Sequence, residues 1–152
     1  MNTIKLVDIR ESLAKIFCKL GLRDVDAIIL AELIIEDRGM TVIELKSSLN
    51  YSISGITAAL HRLMRLYLVT RKKREKKYVY QSESNILSIL LHLIWEIKNH
   101  DVQDLKRKIE IGIQNLPKKK DKIEKLRERV EKAEKYLQAL LNLLSQYEEV
   151  IS

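Results

Sequence analysis

Six of the seven residues from Arg71 to Lys77 are cationic: Arg71, Lys72, Lys73, Arg74, Lys76 and Lys77, with Glu75 as the only anion among them. Held close together, such charges repel one another, and an anion laid alongside relieves that repulsion. Lysine and arginine at this density are suited to phosphate. A milder constellation lies just upstream, where Ser52, Ser54, Gly55, Thr57, Ala58, His61, Arg62 and Arg65 fall outside the apolar stripe Ile56, Ala59, Leu60, Leu63. Small residues, hydroxyls and a few cations on one helix face fit entry into a nucleic-acid groove, and a helix N-terminus favours a phosphate. The bland alternatives are a solvated helix face and a lysine-protected strand edge.

The elements that must position these residues are legible from caps and periodicity. Thr41 and Glu44 have capping-box spacing and open a short helix bearing Val42, Ile43, Leu45 and Leu49. Asn50 and Tyr51 make a turn, and Ser52 caps the next helix. Leu68 to Lys72 and Tyr78 to Gln81 read as two strands with Arg74, Glu75 and Lys76 near the hairpin tip. Without Asn-Gly the connection is expected to exceed two residues. Tyr78 and Tyr80 are expected to pack on this hairpin. Upstream, Ile4, Val7, Ile9, Leu13, Ile16, Phe17 and Leu20 predict a first helix closed by Gly21. Asp24 is expected to cap a second, broadly apolar helix ending near Gly39. Asp24, Asp26, Glu36 and Asp37 read as capping or solvated residues.

Downstream, Ser84 or Glu83 opens an almost continuously apolar helix reaching about Lys98. Asn99-His100-Asp101 is either a break, with Asp101 capping a helix that carries Val102, Leu105, Ile109, Ile113 and Leu116, or the middle of one long helix. Pro117 interrupts the chain. Then Ile123, Leu126, Val130, Ala133, Leu137, Leu140, Leu144, Tyr147 and Ile151 alternate in steps of three and four. That heptad pattern predicts a coiled-coil seam over about 118–152. Its partner is the same segment of a second subunit or the 101–116 helix folding back. With Leu90, Ile94 and Trp95, the seam residues Ile123, Leu126, Val130, Leu137, Leu140, Leu144 and Tyr147 are the candidate homodimer contacts.

Composition narrows the classes. Four glycines and one proline in 152 residues leave few breaks, and 46% hydrophobic residues allow a packed core. The net charge of +7 is focused, because residues 71–77 carry an excess of five and residues 118–135 an excess of four. The remainder is therefore slightly acidic. A single cysteine, Cys18, excludes an intrachain disulfide and a cysteine-based zinc site, and reads as a buried small hydrophobe. His61, His92 and His100 lack metal-ligand spacing, and no phosphate loop, nucleophile elbow or catalytic carboxylate pair is present. No cofactor, no metal and no enzymatic activity are expected. The longest apolar stretch, Ile86 to Trp95, is too short to span a bilayer. Without a signal-peptide layout, the expected compartment is the cytoplasm.

These elements make up a mainly α protein: a winged helix-turn-helix over 1–82, with a small β-hairpin wing, and a helical dimerisation region over 83–152 with a long C-terminal coiled-coil helix. Leu20-Gly21-Leu22, Thr41-Val42-x-Glu44-Leu45, Ser52-x-Ser54-Gly55-Ile56-Thr57-x-Ala59-Leu60-x-x-Leu63 and Leu68-Val69 resemble the winged-helix regulators of the TrmB, GbsR and MarR groups. The resemblance covers about residues 20–82. It implies a dimeric transcriptional regulator, with the helix from Ser52 in the major groove of double-stranded DNA and the loop at Lys72–Lys77 as the wing. The large ligand-binding domain of TrmB-type proteins has no room here, and RKKREKK replaces the Asp-x-Arg wing signature of MarR proteins, so no small-molecule effector is assigned. The expected function is sequence-specific DNA binding for transcriptional regulation, as a repressor. The alternatives are a nucleoid-type architectural DNA protein with little sequence preference, and a winged helix that binds protein.

Overall fold

The structure is a computed structural model that describes residues 3–83 and 85–151. The main-chain contacts fall into two compact units, Met1–Ile89 and Leu90–Ser152.

The first unit holds α1 (Leu6–Lys19), α2 (Asp24–Glu36), α3 (Val42–Ser48), α4 (Ile53–Arg65) and the antiparallel strands β1 (Val69–Arg74) and β2 (Lys77–Ser82). Its core sits around α2, where Ala27, Ile29, Leu30, Ala31 and Leu33 are buried, and is completed by Phe17, Leu45, Ile56, Leu60, Leu63, Leu68 and Tyr80. This explains the broad apolar sector of α2: α1, α4 and β2 all pack against it. Two charged residues are buried within the same helix. Asp26 accepts a forked pair of bonds from Arg62, and Glu32 accepts from Arg10 at 2.7 Å. Asp26 is thus a buried structural carboxylate, contrary to the expectation of a solvated one.

Other local expectations change as well. Arg23, not Asp24, is the N-cap of α2. Asp24 instead accepts a hydrogen bond from the Cys18 thiol at 3.4 Å, and Cys18 is half-exposed, not buried. Burial and then the neighbouring carboxylate push that thiol's pKa up. On α1 only Ala14 and Phe17 are buried, and Leu6, Ile9 and Ile16 lie exposed. α2 stops at Glu36 because Asp37 takes the left-handed conformation, φ 52°. Gly39 then passes so close to β2 that a β-carbon there would clash with Val79 Cγ1. That approach lets Met40 exchange two backbone hydrogen bonds with Tyr80, each 2.8 Å, adding a one-residue bridge to the hairpin.

The chain crosses from the first unit to the second within α5 (Ile86–Glu96), which passes into a π turn at Ile97–Asp101 and on into α6 (Val102–Asn115). The chain at Asn99-His100-Asp101 is therefore helical and unbroken. A π turn displaces carbonyls from the regular ladder. Here the side-chain amides of Asn99 and Gln103 donate to the carbonyls of Trp95 and Lys98. After a short 3-10 turn at Pro117–Lys119, α7 runs from Lys120 to Ile151. It returns antiparallel along α6: Glu110 meets Arg127 at 3.0 Å, Glu134 meets Lys106 at 3.0 Å, and Gly112 faces Ile123. The first half of the heptad seam therefore has α6 of the same chain as its neighbour. Ser84 and the side chain of Ile151 lie outside the described residues.

Candidate nucleic-acid interface

α3 and α4 form the helix-turn-helix, and each is started by the predicted hydroxyl. Thr41 Oγ1 accepts from the Glu44 N–H at 3.2 Å while the Glu44 carboxylate accepts from the Thr41 N–H, a complete capping box. Arg38 locks the same carboxylate at 2.7 Å, and Arg38, then the Thr41 backbone, holds Glu44 below the usual carboxylate range. At the next helix Ser52 Oγ accepts from the Gly55 N–H at 3.1 Å. Ile56, Ala59, Leu60 and Leu63 turn inward, so Ser54, Ala58, His61 and Arg65 are presented outward, with Ile53 and Thr57 along one edge.

Arg62 is oriented differently. Its guanidinium is committed to Asp26 through bonds of 2.9 and 2.7 Å, which fix α4 against α2 and hold Arg62 firmly protonated. A buried carboxylate needs such a partner, so the pair sets the rotation and height of α4 on the core. Nothing in the sequence separates Arg62 from Arg65. One helical turn later Arg65 is exposed and donates to the carbonyl of His61 at 3.5 Å.

β1 and β2 pair in register from Val69 with Ser82 to Arg74 with Lys77. The connection is only Glu75-Lys76, both with positive φ (49° and 69°), a left-handed two-residue turn made without glycine. The longer loop expected from the sequence is thus replaced by a tight one, because strand pairing continues to the last residue on each side. Register fixes which cations share a face. Arg71 and Lys73 lie opposite Tyr80 and Tyr78, while Lys72 and Arg74 lie opposite Val79 and Lys77. Tyr80 is buried at the base of the hairpin. Tyr78 is exposed, with the Arg71 guanidinium 4.1 Å over its ring and the Lys73 ammonium at 5.8 Å. All six cations are exposed, and among the described residues none is in an ion pair.

Helix and hairpin meet at a shallow groove of about 390 Å³ lined by His61, Met64, Arg65 and Arg71. Three of the sequence-predicted residues converge there from two elements, and Arg62 does not. Two exposed residues of this surface escaped prediction: Ile53 in the first turn of α4, and Tyr51 just before it. Both types also serve in cores, so only their exposure in the fold distinguishes them. Among the described residues no cluster of three His, Cys, Asp or Glu side chains has the arrangement of a metal site. No described helix is long and apolar enough to cross a membrane.

The residues given as dimer contacts divide. Ile94, Val130 and Leu144 are buried, Leu90, Ile123 and Leu137 are half-buried, and Trp95, Leu126, Leu140 and Tyr147 are exposed. Along α7, every seventh residue from Ile123 (Val130, Leu137, Leu144) is the covered row, and the row from Leu126 is open.

No protein-family model and no curated protein sequence matches this chain. A solved structure described as a transcriptional regulator superimposes with a TM-score of 0.70 over 92% of this chain and 97% of its own, at 15% sequence identity. At that identity the similarity establishes the shared fold: mainly helical, with a two-stranded antiparallel hairpin and a long C-terminal helix.

Proposed function

We propose that this chain is a homodimeric, sequence-specific double-stranded DNA-binding regulator of transcription that acts in the cytoplasm as a repressor by occupying its site. The observation that carries the reading is the pairing of a capped helix, outer face exposed, with a hairpin bearing six exposed cations, none of them in an ion pair among the described residues. α4 enters the major groove with Ser54, Ala58, His61 and Arg65 foremost, and the hairpin lies along the neighbouring phosphates. Arg62 serves this reading by positioning α4. The regulator with the same fold supports the class. Dimerisation accounts for the open row Leu126, Leu140 and Tyr147 on α7, whose burial would pair two copies and fix the spacing of two half-sites.

Binding to duplex fragments across a salt series tests the reading. Each phosphate contact contributes about 0.9 to the slope of log affinity against log salt. Replacing Lys72, Lys73 and Arg74 together with alanine is therefore expected to flatten the slope by about 3 and to weaken binding to every sequence alike. An unchanged slope, or no binding to any duplex at low salt, removes DNA from the proposal and favours a protein partner. Sedimentation of a Leu126→Asp, Leu140→Asp variant tests the dimer: both residues are exposed in one chain, so the variant folds and is expected to sediment as a monomer.

A second reading, an architectural DNA protein with little sequence preference, gains from Arg62 being withdrawn from the helix surface. Equal affinity for random duplexes and for any selected site would establish it over the regulator.

A further inference from the structure

The outward face of α4 has few hydrogen-bonding groups left to offer. The Ser52 hydroxyl accepts from Gly55 and lies 3.2 Å from the Ser54 hydroxyl, so the bond between them takes up one of their two protons. Thr57 Oγ1 donates back to the carbonyl of Ile53 at 2.8 Å, a bond that occupies its only proton. Arg62 is held by Asp26. Beside the one remaining serine proton, the leading end is mostly hydrocarbon: the Ile53 side chain, 44% exposed, the Thr57 methyl one turn on, and the exposed Ala58 methyl. The free polar groups, His61 and Arg65, lie one to two turns behind, at the groove shared with Arg71.

The major groove carries one hydrocarbon signal, the C5 methyl of thymine, which apolar side chains contact directly. Resting on the DNA-binding reading above, we infer that α4 recognises thymine methyl groups through Ile53, flanked by Thr57 and Ala58, and that this contact supplies its sequence preference. The occupant is duplex DNA because the six exposed cations of the adjoining hairpin complement a polyanion, whereas an apolar protein surface would leave them unmatched. Specificity would then reside in methyl contacts, with Arg65, His61 and the hairpin supplying salt-dependent hold.

The test selects tightly bound duplexes from a random pool and replaces each thymine of the selected site, one at a time, with deoxyuridine. This removes a single methyl and keeps every hydrogen-bonding group. One buried methyl corresponds to about three- to fivefold in affinity. The expected result is a loss of that size at one or two thymines per half-site, abolished at one of them in Ile53→Ala while the salt slope stays unchanged. Selected sites bound equally well with deoxyuridine throughout would overturn the inference and leave the regulator reading standing. So would Ile53→Ala retaining the full thymine preference. A protein that binds no duplex at low salt would overturn both. The deoxyuridine series uses the unaltered protein, so its outcome is independent of how any variant folds.

Discussion

The two units of this chain handle charge and apolar surface in opposite ways. In Met1–Ile89 the ion pairs that join helices are buried: Asp26 and Glu32 are each 3% exposed, and their arginine partners are mostly covered. In Leu90–Ser152 the pairs that join α6 to α7 lie at the surface, with Arg127 36% and Glu110 55% exposed. Outside α1, where Leu6, Ile9 and Ile16 are exposed, the apolar residues that join helices differ between the units as well. The first unit closes a core in which Leu60, Leu63 and Ile29 are fully buried, while α7 leaves every second seam residue open. A core that closes on itself fixes the geometry of α4. The half-open seam leaves Leu126, Leu140 and Tyr147 exposed, the surface that the proposed dimer would bury.

Breaking each kind of pair should expose the contrast most strongly. Arg62→Ala strands a buried carboxylate and is expected to destabilise the first unit by about 3–5 kcal/mol in urea unfolding. Asp26→Ala should cost less, about 1–3 kcal/mol, because the Arg62 side chain is already 25% exposed and can turn to water. In the second unit Arg127→Ala is expected to cost no more than about 1 kcal/mol. Equal losses for Arg62→Ala and Arg127→Ala would mean that the two units are not built differently after all.

The hairpin turn offers a smaller effect of opposite sign. Glu75 and Lys76 both occupy the left-handed region, where a side chain is strained by about 1 kcal/mol or more. Lys76→Gly should therefore raise stability by about 0.5–1 kcal/mol while removing one hairpin cation, so on the proposed function DNA affinity falls as the fold strengthens. Thermal unfolding and binding measured on the same variant would show the two moving apart.

What was legible in the sequence follows how local each signal is. Thr41 with Glu44, and Ser52, announce their helices because a cap is completed within three residues. The strands were placed to within about two residues because alternation and charge density are local as well. The pairing of Asp26 with Arg62 was not legible, since 36 residues separate them and each looks like an ordinary surface charge. Ile16 and Ile29 show the same limit: both are helical isoleucines, one exposed and one fully buried, and only the position of α2 in the core decides between them. The heptads of α7 revealed a seam but left its partner open, because α6 and a second copy would satisfy the same spacing. At the hairpin tip the absence of Asn-Gly suggested a longer loop, yet pairing up to Arg74 and Lys77 outweighs the strain of two left-handed residues.

The smallest effect should come from acid, at the α6–α7 hairpin. Glu134 accepts from Lys106 and Gln103, and these bonds, Lys106 first, hold its pKa below the ordinary glutamate range. A depressed carboxylate stabilises the folded state fully above its unfolded pKa and loses that contribution as pH falls through the folded value. The α6–α7 hairpin should therefore loosen between the ordinary glutamate range and more acidic pH, by under about 1 kcal/mol for a partly exposed pair. Hydrogen exchange of α6 and α7 amides across that range would detect it. Glu134→Gln keeps an acceptor for both partners but removes the titration, so its exchange should start slightly faster and change less with pH. If exchange of α6 and α7 instead stays constant across that range in the unaltered protein, the bonds to Glu134 do not hold the hairpin together.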